Sequence, residues 1–160
     1  MKYLFILFTL ICSLHAEGFH EERYSYAFDK TQKFQGDIQF SDYGVKIVYN
    51  DLNKSILYDD GDLKVYDGKK LLSLDEVQEQ RMGVFLDILI LVHADDTQFI
   101  KENFSISLED GMEILTPKEE MKQYLKKIEL KKADAKISFI KVYFKNDDTI
   151  TINIDDDETN

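Results

Sequence analysis

Cysteine is nearly missing from this chain: Cys12 is the only one among 160 residues. That excludes a disulfide framework and, for everything after Cys12, a thiol nucleophile. Tryptophan is absent, and proline occurs once, at Pro117. Scarce proline beside nine tyrosines and eleven phenylalanines suits a domain rich in strands. His15, His20 and His93 are the only histidines, and they lie far apart in no metal-ligand spacing. Ser41, Ser55 and Ser73 stand in no Gly-x-Ser-x-Gly setting. Asp155-Asp156-Asp157-Glu158 lacks the order of a calcium loop. Basic residues are outnumbered, 20 against 31 acidic ones, for a formal net charge of −11. Their only clusters are Lys126-Lys127 and Lys131-Lys132, in an alternating stretch that reads as solvent-facing. Such a field disfavours nucleic acid and anionic membrane surfaces. The expectation is a protein with no catalytic site, no metal, no cofactor and no nucleic-acid partner.

What is present begins with an export signal. Met1-Lys2 is followed by an apolar run from Tyr3 to Leu14 and then by Leu14-His15-Ala16. A basic start, a short apolar core and a small residue at the cleavage point read as a secretory signal peptide over residues 1–16. A retained anchor would need about 20 apolar residues. Ile11 before Cys12 stands where a lipoprotein signal places a small residue, which argues against lipidation. Cleavage after Ala16 leaves about 144 residues with 19 basic and 31 acidic side chains, a net charge of −12. One domain over residues 17–160 is large enough to bury a core without disulfides.

Most of the mature chain alternates apolar and polar residues, the period of a half-buried strand. Strands are expected at Tyr24 to Asp29, Phe34 to Phe40, Tyr43 to Tyr49, Ile56 to Tyr58, Leu63 to Tyr66 and Lys70 to Ser73. After the centre come Phe104 to Leu108, Glu113 to Leu115, Tyr124 to Leu130, Ile137 to Phe144 and Ile150 to Ile154. Asp60-Gly61, Asp67-Gly68 and Asp110-Gly111 are hairpin signals. Thr116-Pro117-Lys118-Glu119 resembles a capping box opening one or two helical turns that end near Met121 or Gln123. Leu74 to Arg81 is polar and carries no clear period, and Asp155 to Asn160 is a charged tail. About ten strands joined by tight turns predict an antiparallel meander with one apolar face.

The centre departs from this pattern. From Val84 to Val92 every residue is apolar except Asp87. Leucine and phenylalanine outnumber β-branched residues there, so a helix over Gly83 to Val92 is predicted, stopped by Asp95-Asp96-Thr97. A buried strand is the rival, which periodicity alone does not separate. A helix apolar nearly all round must be covered on most sides. Helical spacing puts Phe85, Ile88, Leu89 and Val92 on one face and turns Asp87 and Ile90 away from it. Asp87 then lies either on a narrow solvent-facing stripe or at the mouth of a cavity.

The order of these pieces resembles the periplasmic outer-membrane lipoprotein carriers, the LolA-like family. Phe34-Gln35-Gly36-Asp37-Ile38-Gln39-Phe40 is similar to the family's glycine-containing strand. Ile56 to Asp67 is similar to its Asp-Gly hairpin with a strand ending in tyrosine. Glu79-Gln80, Leu115-Thr116-Pro117-Lys118 and the closing hairpin Lys136 to Ile154 also match in order. The resemblance spans Tyr24 to Ile154. It implies an α+β, mostly β fold: a half-barrel of about ten antiparallel strands with a central apolar helix over its concave face. It departs from the family in two places. Glu17 to Arg23 is room for no more than a turn or two of an initial amphipathic helix, and Ser41 to Lys46 replaces the segment with the family's sheet-to-helix arginine, leaving Lys46 as the nearest substitute.

By this resemblance the protein is a periplasmic carrier that shields acyl chains of lipoproteins or lipids on the way to the outer membrane. An inner-membrane transporter and an outer-membrane acceptor would be its partners. The expected groove lining is Tyr43, Val45, Ile47, Tyr49, Leu63, Val65, Phe85, Ile88, Leu89, Val92, Phe104 and Ile106. The alternative is a non-enzymatic secreted β-domain whose acidic face docks a basic protein; a lipid hydrolase lacks a nucleophile constellation. For export, the expected outcome is a mature protein beginning at Glu17 outside the cytoplasm. N-terminal sequencing of the native product checks it, and Met1 retained in a membrane-embedded form would refute it.

Overall fold

The structure, a computed structural model, describes residues 16–134 and 136–155. The signal-peptide segment with Cys12, and the tail beyond Asp155, lie outside the described residues. Eleven strands form one antiparallel sheet that curves without closing. They are β1 (Glu17–Ser25), β2 (Lys30–Phe40), β3 (Gly44–Tyr49), β4 (Lys54–Asp59), β5 (Asp62–Asp67), β6 (Lys70–Leu71), β7 (Phe104–Glu109), β8 (Met112–Pro117), β9 (Leu125–Ala133), β10 (Lys136–Phe144) and β11 (Thr149–Ile154). The first and last strands pair at the centre, and the order runs β6-β5-β4-β3-β2-β1-β11-β10-β9-β8-β7. Each half is therefore a plain meander, and the chain must travel once from the β6 edge to the β7 edge. It does so through α1 (Glu76–His93) and α2 (Thr97–Asn103).

Local chemistry sets the boundaries. Asp60-Gly61 and Asp110-Gly111 have positive φ at both residues, as a two-residue type I′ hairpin turn requires. The Asp75 side chain caps α1 by accepting from the Gln78 amide at 2.9 Å, and Asp96 caps α2 by accepting from Phe99 at 2.9 Å. Along α1, Phe85, Leu86, Ile88, Leu89, Ile90 and Val92 are buried. At 100° per residue these six positions cover an arc of roughly 200°. The curved sheet thus wraps about half the helix circumference, and its concave face supplies the rest of the core: Phe19, Ile38, Ile47, Leu115, Ile128, Leu130, Ile140 and Ile152 among others. Two register shifts add curvature. Ser138 on β10 and Lys126 on β9 are extra residues at bulges, and bulges bend the bulged strand and increase its twist.

Several expectations are corrected. Glu17 to Arg23 is no helix: it opens β1, a nine-residue strand flanked on both sides by partners. The expected first strand at Tyr24 to Asp29 is instead the end of β1 and its turn to β2. Helix α1 starts seven residues before Gly83, taking in the polar segment Glu76 to Met82. α2 was not foreseen. Pro117 ends β8 rather than opening a helix, although Met121–Gln123 does form a single 3-10 turn. Ile90 is 6% exposed and does not face away, because the buried arc is wider than one helix face.

Gly36 shows how tightly the sheet is built. A Cβ placed there would lie 1.9 Å from the Val48 carbonyl oxygen and 3.0 Å from the Phe19 ring, which sits across from it on β1. The ring fills the space that the missing side chain leaves. Neither backbone nor buried ring yields easily, so Gly36→Ala is expected to cost at least about 3 kcal/mol. A urea unfolding series checks this; a midpoint within error of the wild type would refute the packing.

Candidate functional site

The antiparallel order places five connections at one end of the sheet: those joining β1 to β2, β3 to β4, β5 to β6, β8 to β9 and β10 to β11. The N-terminal half of α1 lies over the same end. There the helix and the sheet do not meet fully, and a cavity of about 950 Å³ opens between them. Its apolar wall comes from both layers, with Phe34, Ile47, Val65, Leu72, Val84 and Phe85 among the lining side chains. The opposite end is shut. Phe40 at the end of β2 stacks on His93 at the end of α1, with ring centroids 3.7 Å apart and planes 7° apart. Burial holds the His93 imidazole below its ordinary pKa, and its Nδ1 has no partner.

One wall of the cavity contains an ionic cluster in an otherwise apolar face. The Glu21 side chain on β1 is fully buried. It accepts from Arg23 Nε and, at 2.8 Å, from the Tyr49 hydroxyl on β3. Arg23 in turn donates to the Tyr49 hydroxyl oxygen at 2.6 Å and lies over the Phe34 ring, 5.1 Å from its centroid. Burial first, and the Glu21 charge second, hold the Tyr49 phenol well above its usual pKa. Burial opposes the Arg23 charge, but Glu21 and Tyr49 outweigh it and the guanidinium is held above its ordinary value. The strand pairing β1–β2–β3 brings these three residues together across the sheet.

A second polar contact fastens the helix to the sheet. The Tyr58 hydroxyl on β4 donates to Asp87 Oδ1 at 2.5 Å. Burial and the neighbouring carboxylate hold this phenol well above its usual pKa. Asp87 is exposed, but its role is a tether rather than a solvent stripe alone.

The predicted lining residues divide into four groups. Ile47, Tyr49, Val65 and Phe85 line the cavity. Val45, Ile88, Leu89, Val92 and Phe104 are buried in the filled core beyond it. Leu63 is partly buried against that core. Tyr43 and Ile106 are outside: Tyr43 is 75% exposed in the bend before β3, and Ile106 is 52% exposed on edge strand β7, where α1 no longer covers the sheet. Lys46, expected as the substitute for a sheet-to-helix arginine, is exposed on β3, while Arg23 lines the concave wall. The signal that could have found the cluster is Glu21 itself, an acidic residue at an inward position of β1, with Phe19 two residues before it. Among the described residues no group of three histidine, cysteine or acidic side chains is arranged to hold a metal. No helix among them is long and apolar enough to cross a membrane.

No protein-family model matches the chain. No curated protein matches it in sequence. Among solved structures it is similar to a LolA superfamily protein from Nitrosomonas europaea, with 9% identity, a TM-score of 0.42, and coverage of 90% of this chain and 86% of that one. That is a likeness of fold alone, and no residue's role is transferred from it.

Removing one member of the ionic cluster leaves the others buried and unpaired. Arg23→Met is expected to destabilise the fold by about 2–3 kcal/mol, a value discounted because the Arg23 side chain is 36% exposed. The double variant Glu21→Leu with Arg23→Met should recover much of the loss, because no charge is then stranded. Chemical unfolding of both variants checks this; a double variant as unstable as the single would refute it.

Proposed function

We propose that this protein is a non-enzymatic carrier that shields acyl chains, taking a lipid or the acylated end of a lipoprotein into the groove between α1 and the concave sheet. The observation that carries the reading is the cavity of about 950 Å³, walled by apolar side chains from both layers and open at one end. Small-molecule sites are about 300–1,000 Å³, so this one lies at the large end of that range. Each methylene moved from water into such a site contributes about 0.8 kcal/mol. A filled core has no such space, and an interaction module needs none. The site of action is proposed as the periplasm, with cargo received at the inner membrane from a transporter and released to an acceptor at the outer membrane.

The contacts of α1 with the sheet suit a cover that shifts. Its C-terminal half is packed in the core, while its N-terminal half carries only intermediate and exposed residues from Glu76 to Val84. Cargo enters by displacing that half, with the Tyr58–Asp87 hydrogen bond near the boundary between the two.

The test is saturable uptake of an uncharged apolar fluorescent probe by the folded mature protein, together with mass spectrometry of acyl chains retained on native purification. Val77, on the cavity wall and 57% exposed, offers a specific control. Val77→Trp is expected to weaken probe binding at least about tenfold by filling the mouth, with thermal unfolding unchanged because the site is outside the core. No saturable signal from the folded wild type, and no retained acyl chain, would leave the protein-interaction module as the better reading.

A further inference from the structure

The charge of the cavity runs against that of the chain. The whole protein carries −11, yet the cavity lining contains Arg23, Lys54, Arg81 and Lys145 against one carboxylate, Asp148. Arg23 is taken by Glu21. Asp148 is itself engaged, accepting from the Tyr26 amide at 2.8 Å and from Asn146 Nδ2 at 2.6 Å. Of the other carboxylates at this end, Asp51 accepts from Gln35 and Asp147 pairs with Lys126, while Asp67, Glu76 and Glu79 do not line the cavity. Lys54, Arg81 and Lys145 have no ion-pair partner among the described residues. They come from three separate elements, β4, α1 and the β10–β11 turn, and meet only at this mouth. In a chain with so many acidic side chains, three unpaired cations around an apolar opening form a local well of positive potential, focused by the low-dielectric wall behind it.

We infer that the cargo of this cavity is a single-chain amphiphile with an anionic head, its alkyl chain between α1 and the sheet and its head held at the rim by Lys54, Arg81 and Lys145. The inference rests on the carrier reading and narrows its cargo. An uncharged acyl ester gains the apolar wall and nothing from the rim; a carboxylate or phosphate head gains both. Cations on flexible stems suit a head of either geometry, because each acts as a mobile charge. The overall acidic field keeps anionic bilayer surfaces away, so the site favours a single amphiphile over a membrane.

The mature chain, at pH 8 and low salt, is loaded with an uncharged fluorescent probe, which is displaced by laurate, methyl laurate, a lauroyl lysophosphatidic acid and a lauroyl lysophosphatidylcholine. The expected result is that laurate or the lysophosphatidic acid displaces the probe at least tenfold better than methyl laurate, with the zwitterion close to the ester. Which of the two anions is better identifies the head as carboxylate or phosphate. A variant carrying Lys54→Gln, Arg81→Gln and Lys145→Gln should lose about thirtyfold for the anions, about threefold for each rim cation, and nothing for the ester. All three side chains are exposed, so its thermal unfolding should match the wild type. Arg81→Lys, which keeps the charge, should retain most of the preference. Equal displacement by acid and ester, unchanged in the triple variant, would overturn the anionic head and leave the carrier reading standing. Failure of any ligand or probe to bind would overturn both.

Discussion

The rest of the structure follows from how the chain crosses its own sheet. The two terminal strands pair at the centre, so the two halves of the meander end at opposite edges. Eleven strands at about 4.8 Å spacing would make a flat sheet about 48 Å wide. The 18 residues of α1 reach about 27 Å. A flat sheet would leave most of its apolar face, and most of the helix, in water. Curving the sheet around the helix removes both costs at once. The sheet needs the helix because it has only one buried face, and the helix needs the curve because its apolar surface extends over roughly 200°, wider than a single flat contact covers. The most apolar stretch among the described residues is therefore also the crossover, and it lies in the middle of the sequence because the crossover does.

A polar cluster inside that concave face looks at first like a defect. Charges taken out of water cost several kcal/mol each, and mutual attraction offsets this only when the remaining hydrogen bonds are satisfied. Here Glu21 has two donors, and the Tyr49 hydroxyl both gives and receives. Edge-on contacts of Phe19 and Phe34 with Tyr49, each at 5.7 Å, box the group in. The cluster joins β1 to β3 across β2, at the end of the sheet where the helix no longer presses on it. Side-chain bonds there do part of what core packing does at the closed end.

Much of this was legible in the sequence, because alternation is a strong signal when one face of a sheet is buried and the other is wet. The hairpins at Asp60-Gly61 and Asp110-Gly111 and the central helix were readable for the same reason: each depends on local chemistry. What was not legible depends on distant partners. His20 to Arg23 is polar throughout and reads as surface, yet β1 lies at the centre of the sheet, and Glu21 is buried because Tyr49, 28 residues away, completes its bonds. The bulges at Lys126 and Ser138 shift the inward parity, so that Leu125 rather than Tyr124 is buried, and no period-two reading recovers that. For the candidate site, the wall residues Ile47, Tyr49 and Val65 followed from strand parity, and Phe85 from helical spacing. Tyr43 and Ile106 have the right parity but lie beyond the reach of the helix, which parity does not report. Helix α1 begins at Glu76 behind the Asp75 cap, but the polar turns that follow hid their continuity with the apolar run.

That polar beginning is what opens the cavity. Helix α1 changes character along its length: Glu76 to Met82 is mostly polar, and Val84 to Val92 is mostly apolar. An apolar helix throughout would seal against the sheet at both ends, as Phe40 and His93 seal one end now. A polar helix throughout would not stay in the groove. With the change placed at Gly83, the C-terminal half is anchored in the core, and the Tyr58–Asp87 hydrogen bond ties down its first turn. The N-terminal half projects over apolar sheet that it is too hydrophilic to cover. Opening and anchoring are thus written into one helix, and the size of the opening is set by where along the helix the apolar run begins.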